Sequence, residues 1–285
     1  MFQLAAGSPP APIGTQPFHQ WVFPDGTLWT SFFRTEGGYL LRFPCLAEFA
    51  VDDEGRQVRA WPAPGVDHAT VRHLYLNQVQ PLAWSKQGKL VLHGSAVEIE
   101  GQGVAFIGPS GYGKSTLAAS FATSGSSFLS DDGLVIEESA TGYMIVPHHP
   151  SIRLWQDSRA ALINPQVAPA PPVQYTNKAR FLAGDAVAFC AQPRELRRVY
   201  FLAAQGAREP AFTRMKPADA LVELVKNSFM LDTDEAATLS SNFDLLSRLV
   251  SLPVYFRLDY PRSYRSLPGV RAAIAWHIAQ ECEPA

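Results

Sequence analysis

The chain has 285 residues, and its 24 Lys and Arg against 26 Asp and Glu leave a formal charge of −2. With 47 % apolar and 18 % charged residues it can bury a sizeable core, which excludes an intrinsically disordered chain. The near-neutral balance argues against a basic nucleic-acid face or a polybasic membrane patch, and no apolar run approaches the roughly 20 residues that span a bilayer. The first residues carry neither the cationic start nor the apolar stretch of a signal peptide. Cys45, Cys190 and Cys282 are too scattered for a disulfide framework or a CxxC pair. A reducing, cytoplasmic setting is expected.

In chain order, the Pro-, Ala- and Gln-rich residues 1–20 read as a flexible lead-in. Strands are predicted at 39–43, 47–51 and 57–61, the last two joined by a hairpin turn at Asp53-Glu54-Gly55. Val71, Leu74, Tyr75 and Val79 have helical spacing, in a helix that stops before Pro81. Residues 1–88 are thus expected to form a small β-rich module, and 89–285 a second domain. There the strands fall at 90–92, 96–99, 104–107, 128–129, 134–136, 143–146, 152–155, 199–203 and 254–258. Helices are predicted at 114–123 (with Gly125 as its C-terminal stop), 218–226, 235–250 and 270–279, with Pro268 near the first turn of the last. Pro165, Pro169, Pro171 and Pro172 make 164–175 a loop or lid. Strands mixed with helices around a strand–loop–helix unit predict an α/β or α+β core.

The strongest signal is Gly108-Pro109-Ser110-Gly111-Tyr112-Gly113-Lys114-Ser115-Thr116, a full G-x-x-x-x-G-K-[ST] match between an apolar strand and a helix. Glycines let successive backbone N–H groups turn toward a polyphosphate, and the helix start adds unpaired N–H groups and the positive end of its dipole. Lys114 would bring a cation to the β- and γ-phosphates, Ser115 a hydroxyl ligand to Mg²⁺, and Thr116 a donor to the α-phosphate. Tyr112 occupies the last glycine position of G-x-S-x-G, which removes a hydrolase elbow, and no G-x-G-x-x-G is present for a dinucleotide.

The apolar pair Phe128-Leu129 leads into Ser130-Asp131-Asp132, with Asp131 seventeen residues beyond Lys114. A strand returning beside the loop strand would deliver both carboxylates to the phosphate edge of the sheet. One could bind Mg²⁺ while the other takes a proton from an attacking hydroxyl; the competing reading is a solvated Asp-Asp-Gly turn. His93 could orient an aspartate, or simply pack on the sheet.

Together, His93-Gly94-Ser95-Ala96-Val97, the phosphate loop and Leu129-Ser130-Asp131-Asp132 resemble the catalytic domain of HPr kinase/phosphorylase over about 93–138. The resemblance implies a P-loop, PEP-carboxykinase-like core with Mg·ATP at Gly108 to Thr116 and a serine hydroxyl as acceptor. It also implies Asp131 as the base, supported by Asp132 and His93, with Asp132 joining Ser115 at the metal. The family's Glu-x-Arg-Gly stretch is here Ser151-Ile152-Arg153-Leu154-Trp155, which has the arginine and lacks the glutamate, and this argues against the dephosphorylating reaction. The stretch from Tyr39-Leu40-Leu41-Arg42-Phe43-Pro44 to Phe49 is similar to HPr-kinase-like proteins of peptide-modification clusters, among them kinases of the C-terminal serine of lasso-peptide precursors.

Further candidates are Arg153 as a phosphate or carboxylate contact, and Lys178 and Arg180 as cations carried by the proline-rich loop; a solvated basic turn is the competing reading for the last two. His148-His149 lacks companion ligands and reads as loop, while Trp155 and Trp276 read as core. The sequence therefore predicts a serine kinase using ATP and Mg²⁺ on a peptide or small protein. HPr, free serine or another metabolite as acceptor, a non-catalytic nucleotide-dependent peptide-binding module, and assembly into a homo-oligomer all stay open.

Overall fold

The computed structural model describes residues 1–184, 186–203 and 206–280, so Cys282 lies outside the described residues. The chain is mixed α/β and divides into two compact units. The first holds Met1–Lys89 together with two stretches from far along the chain, Val173–Thr176 and Met230–Thr233. Its strands are β1 (Phe2–Leu4), β2 (His19–Val22), β3 (Leu28–Thr35), β4 (Gly38–Phe43), β5 (Ala47–Asp52) and β6 (Val58–Pro62). They line up as β1-β6-β5-β4-β3-β2, antiparallel except for the parallel β1–β6 pair. Buried Asp232 takes two hydrogen bonds from Arg34 (2.9 and 3.0 Å), and the Tyr175 hydroxyl lies 2.6 Å from His73 Nδ1.

Two expectations for this unit are corrected. Residues 1–20 are not a loose lead-in, because β1 and β2 are sheet members. Phe2 stacks on Tyr75 with centroids 4.1 Å apart, and the N–H groups of Ala5, Ile13 and Phe18 donate to Ala60, Arg34 and Phe32. Tertiary partners supply what the local composition lacks. The helix does not stop before Pro81 either: α1 (His68–Leu74) runs through a π-turn (Tyr75–Val79) into α2 (Gln80–Lys86). Pro81 is the second residue of α2, and the wide π-turn before it carries the helix past the proline, with Gln80 N–H donating to Tyr75.

The second unit is built on β7 (Leu90–Ile99), β8 (Gln102–Ile107), α3 (Lys114–Ala122), β9 (Ser127–Ser130), β10 (Gly133–Ser139), β11 (Gly142–Val146), β12 (Ser151–Leu154) and α4 (Gln156–Leu162). It continues with β13 (Ala179–Leu182), β14 (Arg194–Leu202), β15 (Ala211–Arg214), α5 (Pro217–Lys226), α6 (Ala236–Leu249), β16 (Tyr255–Asp259) and α7 (Leu267–Ala279). The main sheet runs β11-β10-β7-β8-β14-β16-β15 with β9 also on β7, and β12–β13 is a separate pair. Strand alternation explains its two-sided burial. Val104 and Phe106 face a core with α3 and α7, while Ala105 and Ile107 face one with α5 and α6. Residues 90–92 and 96–99, expected as two strands, are one, and α4, β13 and β15 have no counterpart among the predicted elements. α3 closes at Thr123, with Gly125 two residues on at φ +96°.

Strand pairing also decides where the acidic pair lies. β9 does not run beside β8, as the sequence suggests; β7 lies between them, antiparallel to both. Two reversals leave β9 parallel to β8, so both strands still end at the same sheet edge. β10 continues along β7 from the Gly133–His93 pair, while β9 ends at the Ser130–Ala96 pair. Asp131 and Asp132 fill the gap opposite Ser95 and Gly94, where the ladder opens and Asp132 takes a left-handed φ of +65°. Gly94 keeps that position narrow, since a Cβ there would come within 3.0 Å of the Phe106 carbonyl.

Candidate phosphate-loop site

All the side chains below belong to the second unit. β8 delivers Gly108 at the sheet edge, and α3 begins six residues later at Lys114. Gly108, Gly111 and Gly113 have φ of +153°, +84° and +86°, a backbone path that side chains resist. Gly113 has a second reason to be glycine: a Cβ would meet the Tyr260 hydroxyl at 2.9 Å and Arg262 at 3.3 Å. Lys114 is only 6 % exposed, and its Nζ donates to the Gly108 and Pro109 carbonyls at 2.6 and 3.0 Å. Burial lowers its ammonium to about 8 against the pull of Asp132 and Asp131.

The loop and the acidic pair meet through one hydroxyl. Ser115 Oγ donates to Asp131 Oδ1 at 2.7 Å, and Ser95 Oγ donates to the same oxygen at 2.6 Å. Asp131 Oδ2 accepts the Arg153 backbone N–H at 3.0 Å. Asp132 is held differently, by the Arg153 guanidinium, whose Nε donates at 2.7 Å and whose Nη2 donates to the same carboxylate oxygen. Burial, with Asp132 alongside, pushes the Asp131 carboxyl above its ordinary value. Burial acts on Asp132 in the same direction, but the charges of Arg153 and Lys178 outweigh it and hold that carboxyl well below the usual range. Neighbouring carboxylates are thus driven apart, one toward keeping a proton and the other toward permanent charge.

The sequence candidates are therefore distributed as follows. Ser115, paired in expectation with Asp132 at a metal, touches Asp131. Arg153 reaches the site through both its backbone and its side chain. Half-buried His93 donates its backbone N–H to Asn227 at 2.6 Å, and burial and Lys114 lower its imidazole to about 4, so it is neutral near pH 7. Lys178 lies 5.3 Å over the Trp155 ring and within electrostatic reach of Asp132, His93 and Lys114. Arg180 pairs across the strands with Arg153 on β12–β13, so it is a strand residue rather than part of a basic turn. Thr116 Oγ1 lies 2.9 Å from Ser158 on α4, in a chain that continues through Tyr264 to Asp157. Trp155 and Trp276, expected in the core, are 50 % and 65 % exposed.

Arg262 escapes a reading based on sequence. It donates to the Tyr112 carbonyl at 2.7 Å and to the Ala203 carbonyl, tying the crown of the loop to the end of β14. In a trans peptide C=O and N–H point to opposite sides, so this contact turns the Gly113 N–H away from Arg262. An arginine 149 residues beyond Gly113 on an irregular segment carries no motif that would have found it.

No family model matches the sequence, and no curated protein matches it. Among solved structures, the Hpr(Ser) kinase/phosphatase from Coxiella burnetii is similar over 66 % of this chain and 95 % of that one, at 11 % identity and a TM-score of 0.35. The likeness is distant. Ser115 Oγ and the carboxylates of Asp131 and Asp132 are hard oxygen donors of the kind Mg²⁺ takes, and the described residues contain no cluster of three or more His, Cys, Asp or Glu able to cage a metal without further ligands. The donor set fits a cation that completes its shell with phosphate oxygens and water. No described helix is long and apolar enough to cross a membrane.

Proposed function

We propose that the chain is an ATP-dependent serine kinase acting on a peptide or small protein. The observation that carries this reading is the 2.7 Å contact between Ser115 on the glycine-rich loop and Asp131 of the buried acidic pair. A loop that merely bound nucleotide would have no need of two buried carboxylates, each burdened with a desolvation cost. In this reading the triphosphate lies along Gly108 to Thr116, Lys114 leaves its two carbonyls for the terminal phosphates, and Asp132 with Ser115 supplies the metal side. Mg²⁺, when bound, neutralises charge on the β- and γ-phosphate oxygens.

Asp131 keeps the proton affinity that a base needs, so the acceptor hydroxyl is assigned to it. The acceptor oxygen bonds to the γ-phosphorus, the bond from that phosphorus to the β–γ bridging oxygen breaks, ADP leaves, and the hydroxyl proton passes to Asp131. The narrowest form of the reading has the terminal serine of a lasso-peptide precursor as acceptor, following the N-terminal resemblance. A cytoplasmic setting, where ATP is plentiful, suits Cys45 and Cys190 as free thiols.

Incubation with Mg·ATP and a panel of serine-containing peptides, read by mass spectrometry, is expected to give ADP and a singly phosphorylated product, both lost in Lys114→Ala. Tight nucleotide binding with no phosphorylated product at high enzyme would overturn the kinase reading. The pH dependence adds a second expectation. Nucleotide affinity falls as the pH rises through about 8, where Lys114 loses its charge, whereas Lys114→Arg holds its affinity across that range. Fluorescent-nucleotide titrations on either side of that value make the comparison, and equal slopes would show that Lys114 is not the titrating group.

A further inference from the structure

A cavity of about 860 Å³ opens from the start of the glycine-rich loop, lined among others by Gly108, Pro109, Lys226, Asn227, Arg257 and Asp259. Its walls come from β14, β15, β16 and the last turn of α5, and it shares the glycine-rich loop with the Ser115–Asp131 contact. The volume is that of a site for a ligand the size of a few residues.

Position separates the two ends of a bound triphosphate. Lys114, the residue type that meets the β- and γ-phosphates, rests on the Gly108 and Pro109 carbonyls, and these two residues line the cavity. Thr116, the residue nearer the α-phosphate, points instead to Ser158 on α4. The cavity therefore adjoins the terminal phosphate, where an acceptor must approach. Asn227 in its wall accepts the backbone N–H of His93, on the same strand β7 whose Ser95 donates to Asp131.

Charge then indicates what the cavity receives. Glu223 is engaged by Lys226 at 3.0 Å, and Asp259 Oδ1 is occupied by the backbone N–H groups of Ala207 (3.2 Å) and Tyr260 (2.9 Å). The Arg257 guanidinium, on β16 across from Thr213, makes no hydrogen bond or ion pair with any described residue. Glu223 thus has an ion pair and one oxygen of Asp259 two backbone donors, while Arg257 lines the cavity as a planar cation with no such partner among the described residues, shaped to take a carboxylate bidentately.

We infer that this cavity binds the acceptor, and that the acceptor is a peptide segment carrying a carboxylate that Arg257 reads, with Lys226 adding to the field. The inference rests on the kinase reading for its word acceptor, but the binding can be tested apart from it. The carboxylate has two sources, an Asp or Glu side chain near the serine or the free end of the chain.

The test uses the full chain with Mg²⁺ and a non-hydrolysable ATP analogue, and four fluorescein-labelled serine peptides: acidic, neutral and basic ones with amidated ends, and a neutral one ending in a free carboxyl. Fluorescence anisotropy is expected to show one or both carboxylate-bearing peptides bound at least about tenfold more tightly than the amidated neutral one. The arm that gains identifies the source. Arg257→Gln should erase that gain while leaving analogue affinity unchanged, and Thr213→Glu, which sets a carboxylate across from Arg257 on the neighbouring strand, should weaken the same peptides. Equal binding of all four peptides, or a gain that survives Arg257→Gln, would overturn the inference. So would a loss of analogue affinity in Arg257→Gln, since the cavity would then hold the nucleoside. Acidic peptides bound but never phosphorylated by wild type with ATP would leave the pocket standing and remove the kinase reading; prompt transfer to all four alike would do the reverse.

Discussion

Asp131→Asn is expected to lower kcat for phosphoryl transfer by about 10²- to 10⁴-fold, the usual contribution of a positioned base, while nucleotide affinity stays within about threefold. The substitution is close to isosteric. An asparagine can turn its amide toward Ser95 and Ser115 and its carbonyl toward the Arg153 N–H, so the three contacts that hold Asp131 can be remade. Only the proton acceptor is lost. Wild-type kcat should rise with pH along a carboxylate limb lying above 3.8, because burial and Asp132 raise Asp131, and the variant should lack that limb. Stability supplies a second readout of opposite sign. A carboxyl whose folded pKa is raised favours folding below its unfolded value and loses that contribution as the pH climbs through the folded one. At neutral pH the ionised Asp131 therefore weighs against the fold, and Asp131→Asn should melt higher than wild type, by a margin that shrinks as the pH falls through the raised folded value toward 3.8 and is constant below it. Unimpaired turnover on a verified acceptor would remove Asp131 from the proton-transfer step.

The second large effect is on stability. Arg153→Ala is expected to cost about 3–5 kcal/mol in denaturant unfolding, because it strands the Asp132 carboxylate in a buried site. Arg153 and Asp132 are 8 % and 7 % exposed, so solvent cannot replace the guanidinium cheaply. A surface pair would be worth no more than about 1 kcal/mol, and a loss that small would mean the pair is not buried in solution. The pH signature follows from the depressed Asp132 value. Its contribution to wild-type stability is present in full above 3.8 and is lost as the pH falls from there toward the lower folded value. Without Arg153 that contribution disappears at every pH, and the difference between the two proteins narrows in acid. Pairing Arg153→Met with Asp132→Asn should recover most of the stability, since both desolvated charges go together, yet transfer should stay impaired. That combination separates the structural cost from the chemical one.

How far the residues announce themselves varies with the range of the forces involved. The strand–loop–helix at Gly108 to Lys114 was readable because each requirement is local: a continuous apolar run before it, glycines where φ turns positive, and helix formers after it. The Asp131-Asp132 pair was readable as a candidate, but its neighbours were not. Whether Ser115 meets Asp131 or Asp132 depends on β7 lying between β8 and β9 and on the gap left opposite Ser95 and Gly94, which are matters of register between distant strands. Arg153 and Lys178 stood among several basic residues of equal local appearance. Their electrostatic hold on Asp132 follows from β12 reaching the acidic pair through the Arg153 backbone, and from β13, next to Lys178, pairing with β12.

The amino-acid sequence by itself determined the elements whose stability is local, among them strands β4 to β6, strand β8, the phosphate-type loop and the helix after it, since period and turn chemistry act over a few residues. Only the tertiary structure decided that residues 1–20 join a sheet, that Pro81 lies inside a continuing helix, that Trp155 is exposed, and that Arg262 braces the loop crown. Those outcomes depend on which distant backbone groups and charges are brought to each residue, and no local preference is strong enough to set them against the free energy of burying or pairing a group elsewhere in the fold.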